Sequence, residues 1–255
     1  MLNFAIQTAR DAGRLLAEKF GRVEVRHKGD IDLVTEADLA SERLIVERLR
    51  SYYPRHAILS EEAGELRVKG DVESEWKWIV DPLDGTTNYA HGYPAFCVSV
   101  GLARGAEMVV GVVYDPLRDE LFAAERGGGA TLNSRPVRVS DTEELNRALV
   151  CTGFPYDVRG RNNFARHFSN FIMHAQSVRR DGAAALDLAY VACGRFEVFY
   201  EDGLRPWDVA AGVLLVEEAG GRVTHYDGSP FQIYRPPIAA SNGLVHEAML
   251  GVLQG

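Results

Sequence analysis

The chain has 255 residues, 46% of them hydrophobic and 25% charged, and 28 Lys and Arg against 36 Asp and Glu give a formal charge of −8. That is an ordinary globular composition, long enough for one large or two modest domains and for a core that needs no disulfide or structural metal. It excludes disorder and fibre, and an acidic chain is a poor non-specific binder of nucleic acid or anionic membrane.

At the N-terminus Arg10, Asp11 and Arg14 interrupt any run that could serve as a secretion signal. Leu2, Ile6, Ala9, Gly13, Leu16 and Phe20 recur at steps of four and three, which predicts an amphipathic helix over 3–20. A second helix is expected after Thr35, with Thr35-Glu36-Ala37-Asp38 as its capping box and Ala40, Leu44, Ile45 and Leu49 on one side. Trp76 to Asp81 reads as a buried strand ending in a turn, and 96–103, 108–114 and 120–125 as an antiparallel meander. The uncharged stretch from Asn88 to Ala103 is too short and too interrupted by His91 and Pro94 to span a membrane. Beyond about residue 140 the pattern alternates: a strand at 148–151, a helix at 161–175, a short strand at 177–180 and an Ala/Leu-rich helix at 183–193 closed by Gly194. Then come a strand at 195–200, a helix at 206–219, strands at 222–226 and 238–240, and a last helix capped by Asn242. The first half, 1–140, is α+β and the second, 141–255, alternates like α/β. No Gly/Ser/Pro linker divides them, so two closely packed halves acting as one unit are expected. Cys97, Cys151 and Cys193 lie far apart and are odd in number, which fits a reducing, cytoplasmic setting.

The chemistry concentrates in Trp78-Ile79-Val80-Asp81-Pro82-Leu83-Asp84-Gly85-Thr86-Thr87-Asn88. A strand delivers Asp81 and the following turn delivers Asp84, so two carboxylates three residues apart can converge on one hard cation or bridge two. Gly85, Thr86 and Thr87 could open a helix whose unpaired N–H groups face an anion. Taken alone, Asp-Gly is also a common turn. Ser60-Glu61-Glu62 follows an apolar strand and again puts carboxylates at a strand end, although such a pair is more often a solvated loop. Asp208 in a first helical turn is also good capping chemistry. Gly182-Ala183-Ala184 opens a helix after Arg179 and Arg180, as a ligand-facing terminus or only as a tight turn. Gly127-Gly128-Gly129 lacks the lysine of a phosphate loop, and His167 and His174 read as a surface pair on one helix.

Together these segments resemble the inositol monophosphatase family. Trp78 to Tyr89 matches its first signature, and Trp207 to Gly221, with Trp-Asp-Val-Ala-Ala-Gly and Glu-Ala-Gly-Gly, matches its second. Lys28, Asp32 to Thr35, Asp38 and Glu61-Glu62 precede them in the family's order, and Arg180 to Gly194 is similar to the bacterial branch. The resemblance implies a layered αβαβα sandwich, usually dimeric, and a phosphomonoesterase with two to three Mg²⁺ per active site that is commonly inhibited by lithium. It implies that Glu61, Asp81 and the carbonyl of Leu83 hold a first metal and that Asp81, Asp84 and Asp208 hold a second, with a third near Glu61. Gly85 and Thr86 N–H groups would hold phosphate, and Thr86 with Asp38 would orient and deprotonate a water beside Glu61. Asp84, Ala184 and Glu201 would meet hydroxyls of the substrate alcohol, Gly182 and Ala183 would complete that pocket, and Lys28 matches a basic residue near the active-site loop. The expected substrate is a small phosphate monoester, inositol monophosphate first. Fructose 1,6-bisphosphate, a nucleotide 3′-phosphate and NADP are the alternatives within the superfamily, and a regulatory protein that binds transcription machinery is the alternative outside enzymology. Ala183 stands where many relatives carry Ser or Thr, and Asp181 adds a negative charge beside the pocket, so polyol monophosphates are expected over bisphosphates. The spacing of Asp81 and Asp84 rejects a covalent Asp-x-Asp phosphatase, and Leu83 and Gly85 fail the ligand positions of an EF-hand loop.

Overall fold

The computed structural model describes residues 1–22, 25–27, 33–67, 74–154 and 163–255. Lys28 and Asp32 lie outside the described residues. The first helix, α1 (Leu2–Lys19), turns Ala5, Ala9, Ala12 and Leu16 inward, as the step pattern predicts. An antiparallel pair follows, β1 (Val25–His27) with β2 (Leu33–Thr35), and leads into α2 (Glu36–Tyr52). The capping box forms as expected: the Thr35 hydroxyl accepts from the Asp38 N–H, and the Asp38 carboxylate accepts from the Thr35 N–H at 2.9 Å.

The larger sheet has eight strands: β3 (Ala57–Ser60), β4 (Gly64–Leu66), β5 (Trp76–Asp84), β6 (Cys97–Arg104), β7 (Glu107–Asp115), β8 (Glu120–Glu125), β9 (Ala130–Leu132) and β10 (Arg135–Val137). Their order is β10-β9-β8-β7-β6-β5-β3-β4, and only β3 and β5 run parallel. The expected meander is β6–β8. β5 runs on to Asp84 rather than stopping at Asp81. Asp81 faces Ser99 and Asp84 faces Cys97, so β5 holds one residue more than β6 over that step. Pro82, which has no N–H to give to a neighbour, sits in this bulge. The short helix α3 (Thr86–Ala90) follows at once.

The second sheet has the order β12-β11-β13-β15-β14, from β11 (Leu149–Thr152), β12 (Ser177–Arg179), β13 (Val198–Glu201), β14 (Arg222–Thr224) and β15 (Ile238–Ser241). β11 is parallel to both neighbours, and β15 is antiparallel to its two. β13 begins three residues later than the pattern predicts, because the Arg195 and Phe196 N–H groups instead close the preceding helix on the Tyr190 carbonyl, at 2.9 and 3.2 Å.

Helices α4 (Asn163–His174) and α7 (His246–Gln254) cover the outer face of this sheet, where Phe171 and Met249 pack on Val150, Val198 and Ala239. Helices α5 (Ala184–Ala192) and α6 (Pro206–Glu218) fill the space between the sheets, while α1 and α2 lie on the far face of the larger one. The result is the expected αβαβα sandwich. Two local expectations are corrected. Asn242 does not cap the last helix: its Oδ1 accepts from the Leu244 and Val245 N–H groups at 3.0 and 3.2 Å, closing the turn before α7 begins at His246. His167 is not part of a surface pair either, since it is buried edge-on against Tyr226, and only His174 is exposed. Among the described residues, no helix is long and apolar enough to cross a membrane.

Candidate active site

The ends of β3, β5 and β13 and the starts of α3, α5 and α6 meet around one cavity of about 510 Å³. Glu61, Asp81, Leu83, Asp84, Gly85, Thr86, Gly182, Ala184, Glu201 and Asp208 all line it. Ala183 is buried beside it at the N-cap of α5. Every expected site residue that is described, apart from Asp38 behind the wall, therefore borders this space or abuts it.

Local structure explains each placement. The bulge at Pro82 carries Asp81 and Asp84 to one end of the sheet. Asp81 Oδ1 accepts from the Leu83 N–H at 3.0 Å, which fixes the turn. Gly85 has φ +91°, and a Cβ there would lie 2.8 Å from the Ala95 carbonyl oxygen, so the turn into α3 is closed to other residues. Asp84 Oδ2 accepts from the Ala185 N–H at 2.7 Å, a bond from the larger sheet to the first turn of α5. Asp208 Oδ2 accepts from the Arg205 N–H at 2.7 Å, which is the capping role the sequence allows. Each carboxylate thus spends an oxygen on a backbone N–H. Hydrogen bonds among the described residues leave the second oxygens of Asp81 and Asp208 without a protein donor.

These acids are strained by one another. Burial pushes the Asp81 carboxyl well above the usual range, and repulsion from Glu61, Asp84 and Asp208 adds to it. Burial pushes Asp84 and Asp208 up to about 7 against the pull of their backbone N–H donors. Glu201 is raised well above its ordinary value, by burial first and then by Asp187, Asp208 and Asp84. An all-oxygen donor set of this density, with the Leu83 carbonyl beside it, fits a hard divalent cation such as Mg²⁺ and offers nothing soft.

Behind this cluster, Asp38 Oδ1 accepts from the Thr86 hydroxyl at 2.9 Å while its Oδ2 caps α2. The Thr86 oxygen also lies 3.0 Å from the Leu83 carbonyl. Burial raises the Asp38 carboxyl, with the Thr35 and Thr86 donors opposing.

The structure adds contacts that local patterns did not show. Asn88 Nδ2 donates to the Asp181 and Ala95 carbonyls, both at 2.7 Å, and ties α3 to the loop before α5. The Cys151 thiol and the Asp181 and Asp187 carboxylates lie within 4.8 Å of one another. Burial pushes both Asp187 and Cys151 up. Asp187 was hidden in an Ala/Leu-rich helix, and only the side chains that pack against it reveal its place.

Comparison with known proteins shows the family and the fold. Residues 1–254 match the profile described as the inositol monophosphatase family. An inositol-1-monophosphatase of Synechocystis is 46% identical, covering 97% of this chain and 86% of its own. A Nus factor SuhB of Pseudomonas aeruginosa is 44% identical over 100% of this chain and 96% of its own. The solved inositol monophosphatase of Anabaena (Nostoc) superposes with a TM-score of 0.89 at 48% identity, covering 99% of this chain and 94% of that one.

Proposed function

The chain belongs to the inositol monophosphatase family, a group of phosphoric monoester hydrolases, and on that premise we propose that it hydrolyses the monoester of a small polyol, inositol monophosphate first, in an Mg²⁺-dependent reaction. The observation that carries this reading is the convergence of Asp81, Asp84 and Asp208 with Glu61 on one cavity, the carboxyls of the three aspartates pushed upward by burial and by neighbouring acids. Glu61, Asp81 and the Leu83 carbonyl would hold one cation, Asp81, Asp84 and Asp208 a second, and Glu61 would border a third. Bound there, Mg²⁺ supplies charge to the phosphate oxygens and acidity to the attacking water.

The chain's own groups do the rest. The Gly85 and Thr86 N–H groups open α3 and hold phosphate oxygens against the helix dipole. The Thr86 hydroxyl gives its proton to Asp38 as it accepts one from water, and the 2.9 Å contact between them supports that transfer. Water attacks phosphorus, the ester oxygen leaves as alkoxide and takes up a proton, and the products are phosphate and the free alcohol. Glu201 and Asp84 accept from the hydroxyls of the alcohol, with Gly182, Ala183 and Ala184 shaping the floor. The Asp84–Ala185 bond joins residues 1–140 to residues 141–255, which supports reading the two halves as one unit. The family relation also supports a homodimer, which sedimentation would test.

Relatives such as the SuhB protein of Pseudomonas aeruginosa bear the name Nus factor, and that name supports a second reading as an interaction protein. Phosphate release decides. With inositol 1-phosphate and Mg²⁺ the protein should turn over, and Asp81→Asn should abolish turnover while the chain stays folded. An active Asp81→Asn enzyme, or a wild type that releases no phosphate from any polyol monophosphate, would overturn the reading. Lithium should inhibit uncompetitively with respect to substrate.

A further inference from the structure

Glu61 sits in the turn between β3 and β4, and that turn is held from beneath by a residue outside the cavity. Glu42, on α2, is buried, and its Oε1 accepts from the Ser60 hydroxyl at 2.5 Å, the Ala63 N–H at 2.8 Å and the Glu62 N–H at 3.2 Å. The three donors bracket Glu61 in the chain. On the same stretch of α2, Asp38 receives the Thr86 hydroxyl, and the Ser41 hydroxyl donates to the Pro82 carbonyl at 2.8 Å. Residues 38–42 span just over one helical turn. A single turn of helix therefore grips both the β5 bulge, which carries Asp81 and Asp84, and the β3–β4 turn, which carries Glu61.

We propose that Glu42 is a positioning residue: through Ser60 and the Glu62 and Ala63 N–H groups it fixes Glu61 at the distance from Asp81 that a divalent cation requires. This rests on the reading of Glu61 as a cation ligand. A free turn that opens on two adjacent glutamates would be pushed outward by Asp81 and Asp84. A buried acceptor taking three donors opposes that push and pre-organises the ligand before the cation arrives.

The test is the affinity for Mg²⁺, read by calorimetry on the resting protein and by the half-activating Mg²⁺ concentration in the phosphatase assay, in wild type, Glu42→Ala and Glu42→Gln. Glu42→Ala should weaken Mg²⁺ by about 10- to 100-fold on both readouts, the usual cost of losing such a support, with most of kcat recovered at saturating Mg²⁺. Glu42→Gln keeps an acceptor oxygen in place and should restore most of the affinity. Melting temperature without Mg²⁺ is recorded beside these, because losing a glutamate that only stabilises the fold would lower it and leave the Mg²⁺ affinity unchanged. If Glu42→Ala does not fold, Ser60→Ala, which deletes one of the three donors, decides: several-fold weaker Mg²⁺ supports the proposal. Unchanged Mg²⁺ affinity in the foldable variants overturns it. A wild type that neither binds Mg²⁺ nor releases phosphate overturns the proposed function instead, and the two failures are distinct.

Discussion

Asp38 meets two demands with one carboxylate, and each oxygen has its own partner: Oδ2 caps α2 at the Thr35 N–H and Oδ1 takes the Thr86 hydroxyl. The sequence alone allowed both roles without separating them, since a capping box is a local pattern and Thr86 lies 48 residues away. Asp38→Asn keeps one acceptor but loses its basicity. It should lower kcat by about 10²- to 10⁴-fold, the range for general-base catalysis, while KM and melting temperature move little. A variant with wild-type kcat would remove Asp38 from the proton path. His246 makes a different residue-scale prediction. Its ring nitrogens lie 2.9 Å from the Thr224 hydroxyl and 2.8 Å from that of Ser241, and burial pushes its pKa down to about 4. The unfolded chain protonates this histidine near its ordinary value of 6.5, ahead of the folded protein. The contribution to stability is therefore complete above about pH 6.5 and is lost as the pH falls toward 4. The raised carboxyls of Asp84 and Asp208 act in the opposite direction in both proteins, so the readout is the difference: between pH 7 and pH 5 the melting temperature of wild type should fall relative to that of His246→Asn.

Among elements, those whose ends are set by neighbours in the chain were legible, and those set by distant packing were not. The α2 cap was readable because Thr35 and Asp38 are three residues apart. The beginnings of β13 and α7 differ from the sequence pattern because Tyr190 and Asn242 claim backbone groups that the apolar pattern assigns elsewhere. β4, β9 and β10 are strands of three residues, two of them at the sheet edges, and carry too little pattern to read. Of the candidate site, the carboxylates were visible in short motifs. The roles of Glu42, Asn88 and Asp187 are not, because each acquires its meaning only from a partner brought near by folding. The contact of α5 with α6 shows how tight such packing is: a Cβ on Gly212 would lie 2.5 Å from Leu188 Cβ. Gly212→Ala should force the helices apart and cost about 1–3 kcal/mol of stability by overpacking. Asp208 lies one turn upstream of Gly212, so Mg²⁺ affinity should fall as well. Leu188→Gly removes that Cβ, so the double variant should lose less stability than the sum of the two single variants, and strict additivity of the two substitutions would show that this contact is not the cause.

At the scale of the molecule, the cavity draws on several layers at once. Asp81 and Asp84 come from the larger sheet, Ala184 and Asp208 from the helices between the sheets, and Glu201 from the smaller sheet. The layer order followed from the family resemblance, while the strand order, with β5 between β3 and β6, came only with the structure. One bond among these has a consequence in time. Asp84 Oδ2 and the Ala185 N–H are 101 residues apart along the chain, so the loop they close is long, and contacts of such separation form slowly. The larger sheet, built mostly of hairpins, can pair its strands before that bond exists. Recovery of cation-dependent turnover should therefore trail the burial of Trp76 and Trp78 when the unfolded protein is diluted into buffer. With Trp207→Phe as the background, fluorescence reports those two tryptophans, and interrupted refolding into substrate and Mg²⁺ reports the finished site. Turnover that returned before the fluorescence change would mean that the site assembles first and the sheet condenses around it.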